Sequence, residues 1–303
     1  MPPTYSGQRH LGLVLATMGW FIVAFITILL SEQVTLYESP GVVNFFFFHL
    51  GILIVFFFFS IPYGLQFFTC NNKKLIILRG VLGVGSFYAY TFAKNWSEVL
   101  DHSVLYSIDP LWAVLLLLIA KHKLSKLSWV GIAVSIFGVG IIYTNNYHGW
   151  NDLPGFAFGL TSGASLAVII LITYSIVKTD HTSRIGFYHG VIGCLFSLTL
   201  LSIFYFIDTI QFPHPREIVI SIFLGIAFAY ALYCFIQSAF YTEPYVIGVA
   251  GYSLIFFTEV LSWIMTREIA PLSTLIGSAL IIFGGIKVVL GSYINETKKQ
   301  GAF

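Results

Sequence analysis

The amino-acid sequence predicts an all-α, polytopic membrane protein of about ten transmembrane helices, built as two inverted five-helix repeats. Three observations carry this. Of 303 residues, 57% are hydrophobic, 17% aromatic and 9% charged, and mean hydropathy is +0.88. Soluble domains carry about 25% charged residues, so a soluble fold has no way to hide this much apolar surface. Apolar runs long enough to cross about 30 Å of hydrocarbon recur along the chain. Finally, a residue pattern appears twice at the constant spacing that separates Tyr106 from Tyr252.

At that spacing Leu105-Tyr106-Ser107 answers to Gly251-Tyr252-Ser253, and Gly131 with Gly138 answers to Gly277 with Gly284. Ala93 meets Ala239, Val114-Leu115 meets Val260-Leu261, Ala133 meets Ala279, and Ile136-Phe137 meets Ile282-Phe283. Single apolar identities arise often by chance. The glycine pair and the Tyr-Ser pair at one fixed spacing say more. The expected units are 1–148 and 149–303.

Taken in order, Arg9 and His10 precede an apolar run over 11–31. It is too long for a signal-peptide core and lacks a small-x-small cleavage site, so it reads as the first anchor. Ser39-Pro40-Gly41 separates it from the second span, 41–62, and Asn71-Asn72-Lys73-Lys74 introduces the third, 75–94. Spans 98–120 and 127–145 follow, and Asn145-Asn146 ends the first half. The second half reads as 153–177, 185–207, 217–240, 245–265 and 272–293, with Pro213-His214-Pro215 before the eighth span.

Lys and Arg fix an expected orientation. On one side lie Arg9, Lys73, Lys74, Lys121, Lys123, Lys126, Lys178, Arg184, Lys298 and Lys299; on the other lie Lys94, Arg216 and Arg267. Short loops rich in these residues stay cytoplasmic, which puts both termini inside. An odd number of spans per half then inverts the second half relative to the first. Inverted halves supply the two related conformations of an alternating-access carrier.

The net charge of +2 offers no nucleic-acid surface. Cys70, Cys194 and Cys234 are scattered, without metal or disulfide spacing. No metal or cofactor is expected. A phosphate-cradling GxxxxGK[ST] loop is lacking, as is an HExxH motif. The chain therefore reads as neither an ATP-driven pump nor an intramembrane enzyme.

At this point the chain resembles the drug/metabolite transporter superfamily, of the EamA type with two five-helix units. The resemblance rests on Ser107-Ile108-Asp109-Pro110-Leu111, on Trp129-Val130-Gly131 through Phe137-Gly138-Val139-Gly140, on Thr266-Arg267-Glu268-Ile269, and on Gly277 through Phe283-Gly284. Ile77-Leu78-Arg79-Gly80 resembles the start of the third helix in that group. His122 stands where the family usually shows Glu, and Asp109 occupies a usually apolar position. The resemblance implies a central cavity lined by the first, third, fourth, sixth, eighth and ninth spans. It also implies a small polar or amphipathic metabolite as cargo.

Asp109 is the first candidate for substrate binding or coupling. It lies about 16 Å into the fourth span, near mid-bilayer, where an acid faces a cavity or a partner. Pro110 removes a backbone donor beside it. The alternative is an acid kept neutral by burial. Glu259 sits in the ninth span, where its counterpart in the first half is Ala113. It reads either as a second cavity acid or as an acid nearer the rim, with Arg267 about 12 Å away along the helix.

Arg79 lies roughly 8 Å inside the third span and is expected to snorkel to the cytoplasmic face. The alternative is recognition of a carboxylate, or pairing with Asp109. Tyr106, one helical turn from Asp109, together with Trp112, Tyr88, Tyr252 and Trp20, supplies aromatics suited to a cationic group. Lys94, Glu98, Asp101 and His102 form either an outer gate or an ordinary solvated turn. His49 and His189, on helices peripheral in the family, read as structural. Gly155, Gly159 and Gly163 allow close helix approach and imply no chemistry.

The expected function is secondary active transport of an amino acid, an amine or an amino-acid-like compound across a plasma membrane, the bacterial inner membrane. A carrier of an S-adenosylmethionine-type cofactor is the alternative within the family, and an uncoupled facilitator or pore the alternative outside it. Expected partners are the small-molecule substrate, protons and the lipid bilayer, with a homodimer left open and nucleic acid excluded.

Overall fold

The computed structural model describes residues 9–36, 41–93, 112, 125–146, 153–207, 212–242, 244–265, 267 and 269–300. Nine α-helices are found among them: α1 (Arg9–Leu36), α2 (Gly41–Ser60), α3 (Lys73–Ala93), α4 (Lys126–Asn146), α5 (Leu153–Ile176), α6 (Thr182–Ile207), α7 (Pro215–Tyr241), α8 (Pro244–Met265) and α9 (Leu272–Gln300). Each coincides with an expected span, most ends moving by a few residues while the first and last helices run on to Leu36 and Gln300. The fourth span, 98–120, lies outside the described residues except for Trp112.

One element departs from expectation. Where the second span was to run to residue 62, α2 stops at Ser60 and a 3-10 segment, Ile61–Phe68, follows. Pro62 cannot donate a helical hydrogen bond. Gly64 adopts φ 56°, ψ −149°, a conformation only glycine takes without strain. A Cβ at Gly64 meets nothing, so backbone conformation and not space explains the glycine.

The described residues of Met1–Gly85 and Leu171–Thr242 form one compact unit. Within it α2 packs on both α6 and α7, and α1 packs on α7. Glycines set these distances. Gly225 abuts the Phe48 carbonyl, Gly51 the Ile222 carbonyl, and Gly193 the His49 ring. The Gly19 backbone lies against Phe235, whose ring centroid is 4.7 Å from that of Trp20. Small residues at such seams let helix backbones approach where no hydrophobic force between helices operates. At the start of α7, the His214 imidazole accepts the Arg216 N–H and Pro215 fills the first helical position.

The described residues of Ser86–Ile170 and Glu243–Phe303 form the other unit, in which α4 and α9 run antiparallel in close contact. Gly131 meets the Gly284 carbonyl, and Gly138 lies 2.7 Å (as a Cβ) from the Gly277 carbonyl. Between these points the Ser135 hydroxyl donates to the Ile281 carbonyl at 3.3 Å, across a separation of 146 residues. The glycines related by the sequence spacing are thus the ones that touch, crosswise, around one Ser–Ile pair. Reciprocal contact of this kind is the mark of a two-fold relation between two helices. Ser128 adds a hydroxyl bond to the Val288 carbonyl at 3.2 Å.

Gly131→Ala drives a methyl group into the Gly284 carbonyl and is expected to destabilise by about 1–3 kcal/mol. Gly140→Ala, where a Cβ meets nothing among the described residues, should be neutral or stabilising. Thermal unfolding of the two variants in detergent checks the contrast.

Candidate functional site

Arg79 overturns the expectation of snorkelling. Its side chain is 3% exposed, although it sits only about 9 Å from the start of α3. The guanidinium turns inward: Nε donates to the Thr173 hydroxyl of α5 at 3.2 Å, and Nη1 approaches Nδ1 of His189 on α6 at 3.4 Å. Thr173 and His189 are themselves 4% and 3% exposed. An arginine donates through all its nitrogens, so His189 Nδ1 must be the acceptor and its proton must sit on Nε2. That Nε2–H is buried and has no hydrogen-bond partner. A buried donor left unmade costs about 1–3 kcal/mol, which a purely structural histidine has no reason to bear.

His49 of α2 stands next in line. Its ring centroid is 6.2 Å from that of His189, and its Nδ1 donates to the Phe45 carbonyl at 2.8 Å. Its Nε2 is therefore an acceptor. One histidine expected to be structural thus contacts a buried cation, and the ring of a second lies beside it.

What holds α3, α5 and α6 in register is a polar clasp at their shared end. The Asp180 carboxylate, fully enclosed as a side chain, accepts the backbone N–H groups of Asn71 at 3.0 Å and Asn72 at 3.2 Å, which open α3. It also pairs with Arg184 on α6 at 2.9 Å and receives the Thr179 hydroxyl at 3.4 Å. An anion at a helix N-terminus satisfies orphan donors and opposes the helix dipole. Arg184 Nε donates to the Phe67 carbonyl at 2.6 Å, tying in the 3-10 segment. The Asn72 side chain bonds the Thr179 hydroxyl at 3.0 Å. Arg79 and His189 lie two turns beyond this clasp, on helices it anchors, about 9–10 Å along each axis.

Beside the clasp, His181 Nδ1 accepts the Ser183 N–H at 3.3 Å, and its Nε2 meets the Tyr63 hydroxyl at 2.8 Å. Burial first, then the Arg184 charge, holds the imidazole below its ordinary value of 6.5.

Other sequence candidates fall elsewhere. Trp20 is 1% exposed and packed on Phe235, so it fills the α1–α7 seam. Tyr252 is buried with Ile132, Ile142, Ile255, Ile281 and Val288, and Trp112 packs against the same cluster. The Tyr252 hydroxyl presses on Gly285, where a Cβ has no room. Tyr88 is buried. Glu259 accepts the Ala270 N–H at 3.3 Å, which ties α8 to a connection where Arg267 takes φ 62°. Lys287 lies 4.7 Å over the Phe283 ring, an anchoring contact. Asp109, Tyr106, Lys94, Glu98, Asp101 and His102 lie outside the described residues.

An all-helical chain in which six described helices are each long and apolar enough to cross a membrane is a polytopic membrane protein. Residues 10–144 match the model of the EamA-like transporter family, so the first part of the chain is similar to that family of membrane transporters. A solved crystal structure, described only as that of a protein, is 14% identical. It matches with a TM-score of 0.68 over 94% of this chain and 99% of that one, a likeness of fold alone. No curated protein matches.

Asp180→Ala breaks an enclosed ion pair and strips the cap from α3, so a loss of about 3–5 kcal/mol is expected in detergent unfolding. His181 gives a pH signature. Between its depressed folded value and 6.5 the unfolded chain binds more protons than the folded one. Stability should therefore be complete above that range and fall as pH drops through it, modestly because His181 is exposed. His181→Asn should remove that component, which melting curves taken between neutral and acid pH will show.

Proposed function

We propose that this chain is a secondary carrier of a small organic metabolite bearing a carboxylate, of the amino-acid or amino-acid-like class, which works by alternating access in a plasma membrane. The observation that carries the reading is the buried Arg79, within the stretch that matches the EamA-like family. A guanidinium at membrane depth is costly and is retained where a cargo or coupling ion passes. Its planar fork suits a carboxylate, which it binds through two parallel hydrogen bonds.

The Lys and Arg distribution supports an orientation with both termini in the cytoplasm. In that orientation the Asp180 clasp belongs to the cytoplasmic side, together with Lys73, Lys74 and Lys178. Asp109, thirty residues beyond Arg79, is the proposed counter-group for an amino function of the cargo. Bound cargo drives transport only by favouring one conformation over the other.

The test is uptake of a panel of radiolabelled amino acids into proteoliposomes. Saturable uptake with counterflow is expected, and flux that stays linear in concentration would sink the reading. Arg79→Gln should raise half-saturation by about 10- to 100-fold, the worth of one or two charge-assisted hydrogen bonds. Asp109→Asn should abolish uptake without loss of folded protein, which size-exclusion profiles of the variant verify.

A further inference from the structure

We propose that His189 is a proton-binding site linked to Arg79, so that a carboxylate and a proton are taken up together. The inference rests on the carrier reading above and adds the coupling ion and the residue that holds it.

In the described state, Arg79 Nη1 faces His189 Nδ1 at 3.4 Å, and a positive charge at that distance opposes a second one on the imidazole. The same contact occupies the only ring nitrogen with a lone pair, because the other carries the proton. Addition of a proton at Nδ1 therefore requires Arg79 to withdraw. A carboxylate at Arg79 changes both conditions. It neutralises the guanidinium and draws its fork away, which frees the Nδ1 lone pair. A proton from water then adds at Nδ1, with Nε2 keeping its own, and the imidazolium balances the carboxylate. The N–H bond forms as an O–H bond of hydronium breaks and leaves water, so no other reactant is needed. The carboxylate and the proton cross together and their two charges cancel.

The surroundings fit such a group better than a structural one. His189 is 3% exposed, and its Nε2–H lacks a partner. The His49 imidazole, left as an acceptor at Nε2 by its bond to Phe45, lies with its ring centroid 6.2 Å from that of His189. Gly83 of α3 leaves room for the ring, since a Cβ there would lie 3.0 Å from Nδ1. Among the described residues, the charged or titratable groups facing His189 are Arg79 from α3 and His49 from α2. From α7 it meets the Phe228 ring at 6.3 Å, and α5 contributes Thr173 through Arg79. Electrostatic linkage therefore runs through a single cation. Linkage of this kind is reciprocal: protonation must also strengthen carboxylate binding.

The test reads the imidazole itself and needs no cargo. In full-length protein carrying ring-15N histidine, with His189→Gln to assign the signal, NMR should show the neutral Nε2–H tautomer in the wild type. On acidification Arg79→Gln should pass to imidazolium at a pH where the wild type is still neutral, whereas Arg79→Lys, which keeps the charge, should follow the wild type. Identical titration in wild type and Arg79→Gln overturns the proposal. A second measurement covers a variant that fails to fold. In proteoliposomes, His189→Gln should insert to the same density as the wild type. It should lose at least tenfold of the accumulation driven by an imposed pH gradient. Undiminished gradient-driven accumulation in His189→Gln also overturns it. The carrier reading fails by a different sign, namely wild-type flux that never saturates while the Arg79–His189 linkage persists in the spectra.

Discussion

A full positive charge enclosed by apolar helices must be met by polar groups or it will not stay there. Arg79 is such a charge, and the polar arrangement around it in its unit follows from that demand. Thr173 and His189 come to it from two further helices. Those helices would slide without an anchor, and the Asp180 clasp supplies one by joining the opening amides of α3 to Arg184 and Thr179. The clasp is dense because every group in it is partly or wholly withdrawn from water, so each backbone donor needs a named acceptor. The 3-10 segment, with its break at Gly64, carries the Phe67 carbonyl to Arg184.

In the other unit the governing constraint is distance. Between helices in a membrane, packing and close backbone approach take the place of hydrophobic association. Gly131, Gly138, Gly277 and Gly284 remove the side chains that would hold α4 and α9 apart, and Ser135 closes the gap with a hydroxyl bond to Ile281. Tyr252, Trp112 and their aliphatic neighbours form the apolar packing beside that seam. Glu259 contributes to the end of α8 through the Ala270 amide.

Much of this fold was legible in the sequence, because hydrocarbon thickness imposes long apolar runs and Pro, Asn and Lys mark their ends. The spans agree with α1 to α9 to within a few residues at most ends. The 3-10 segment was not legible, since Ile61-Pro62-Tyr63 continues an apolar run and only the conformation of Gly64 reveals the break. Asp180 was missed for a different reason. Its main partners are the backbone amides of Asn71 and Asn72, more than a hundred residues away, and amides leave no trace in residue type. The run Thr179-Asp180-His181-Thr182-Ser183-Arg184 was the available signal, an unbroken polar stretch between two spans. Arg79 was recognised as important but given the wrong direction, because depth along a helix does not say which way a side chain turns. His189 was read as structural, since a lone histidine on an apolar helix usually is. Trp20 reads as a cavity residue by its span, and its ring packs against Phe235.

The account stands on Arg79 as the seat of a cargo carboxylate. A structure of the full-length protein with a transported amino acid bound addresses this most directly. It should show the carboxylate within about 2.7–2.9 Å of the guanidinium, with the contact to His189 released. Cargo seated elsewhere, with Arg79 still bonded to Thr173 and His189 as it is here, would contradict it.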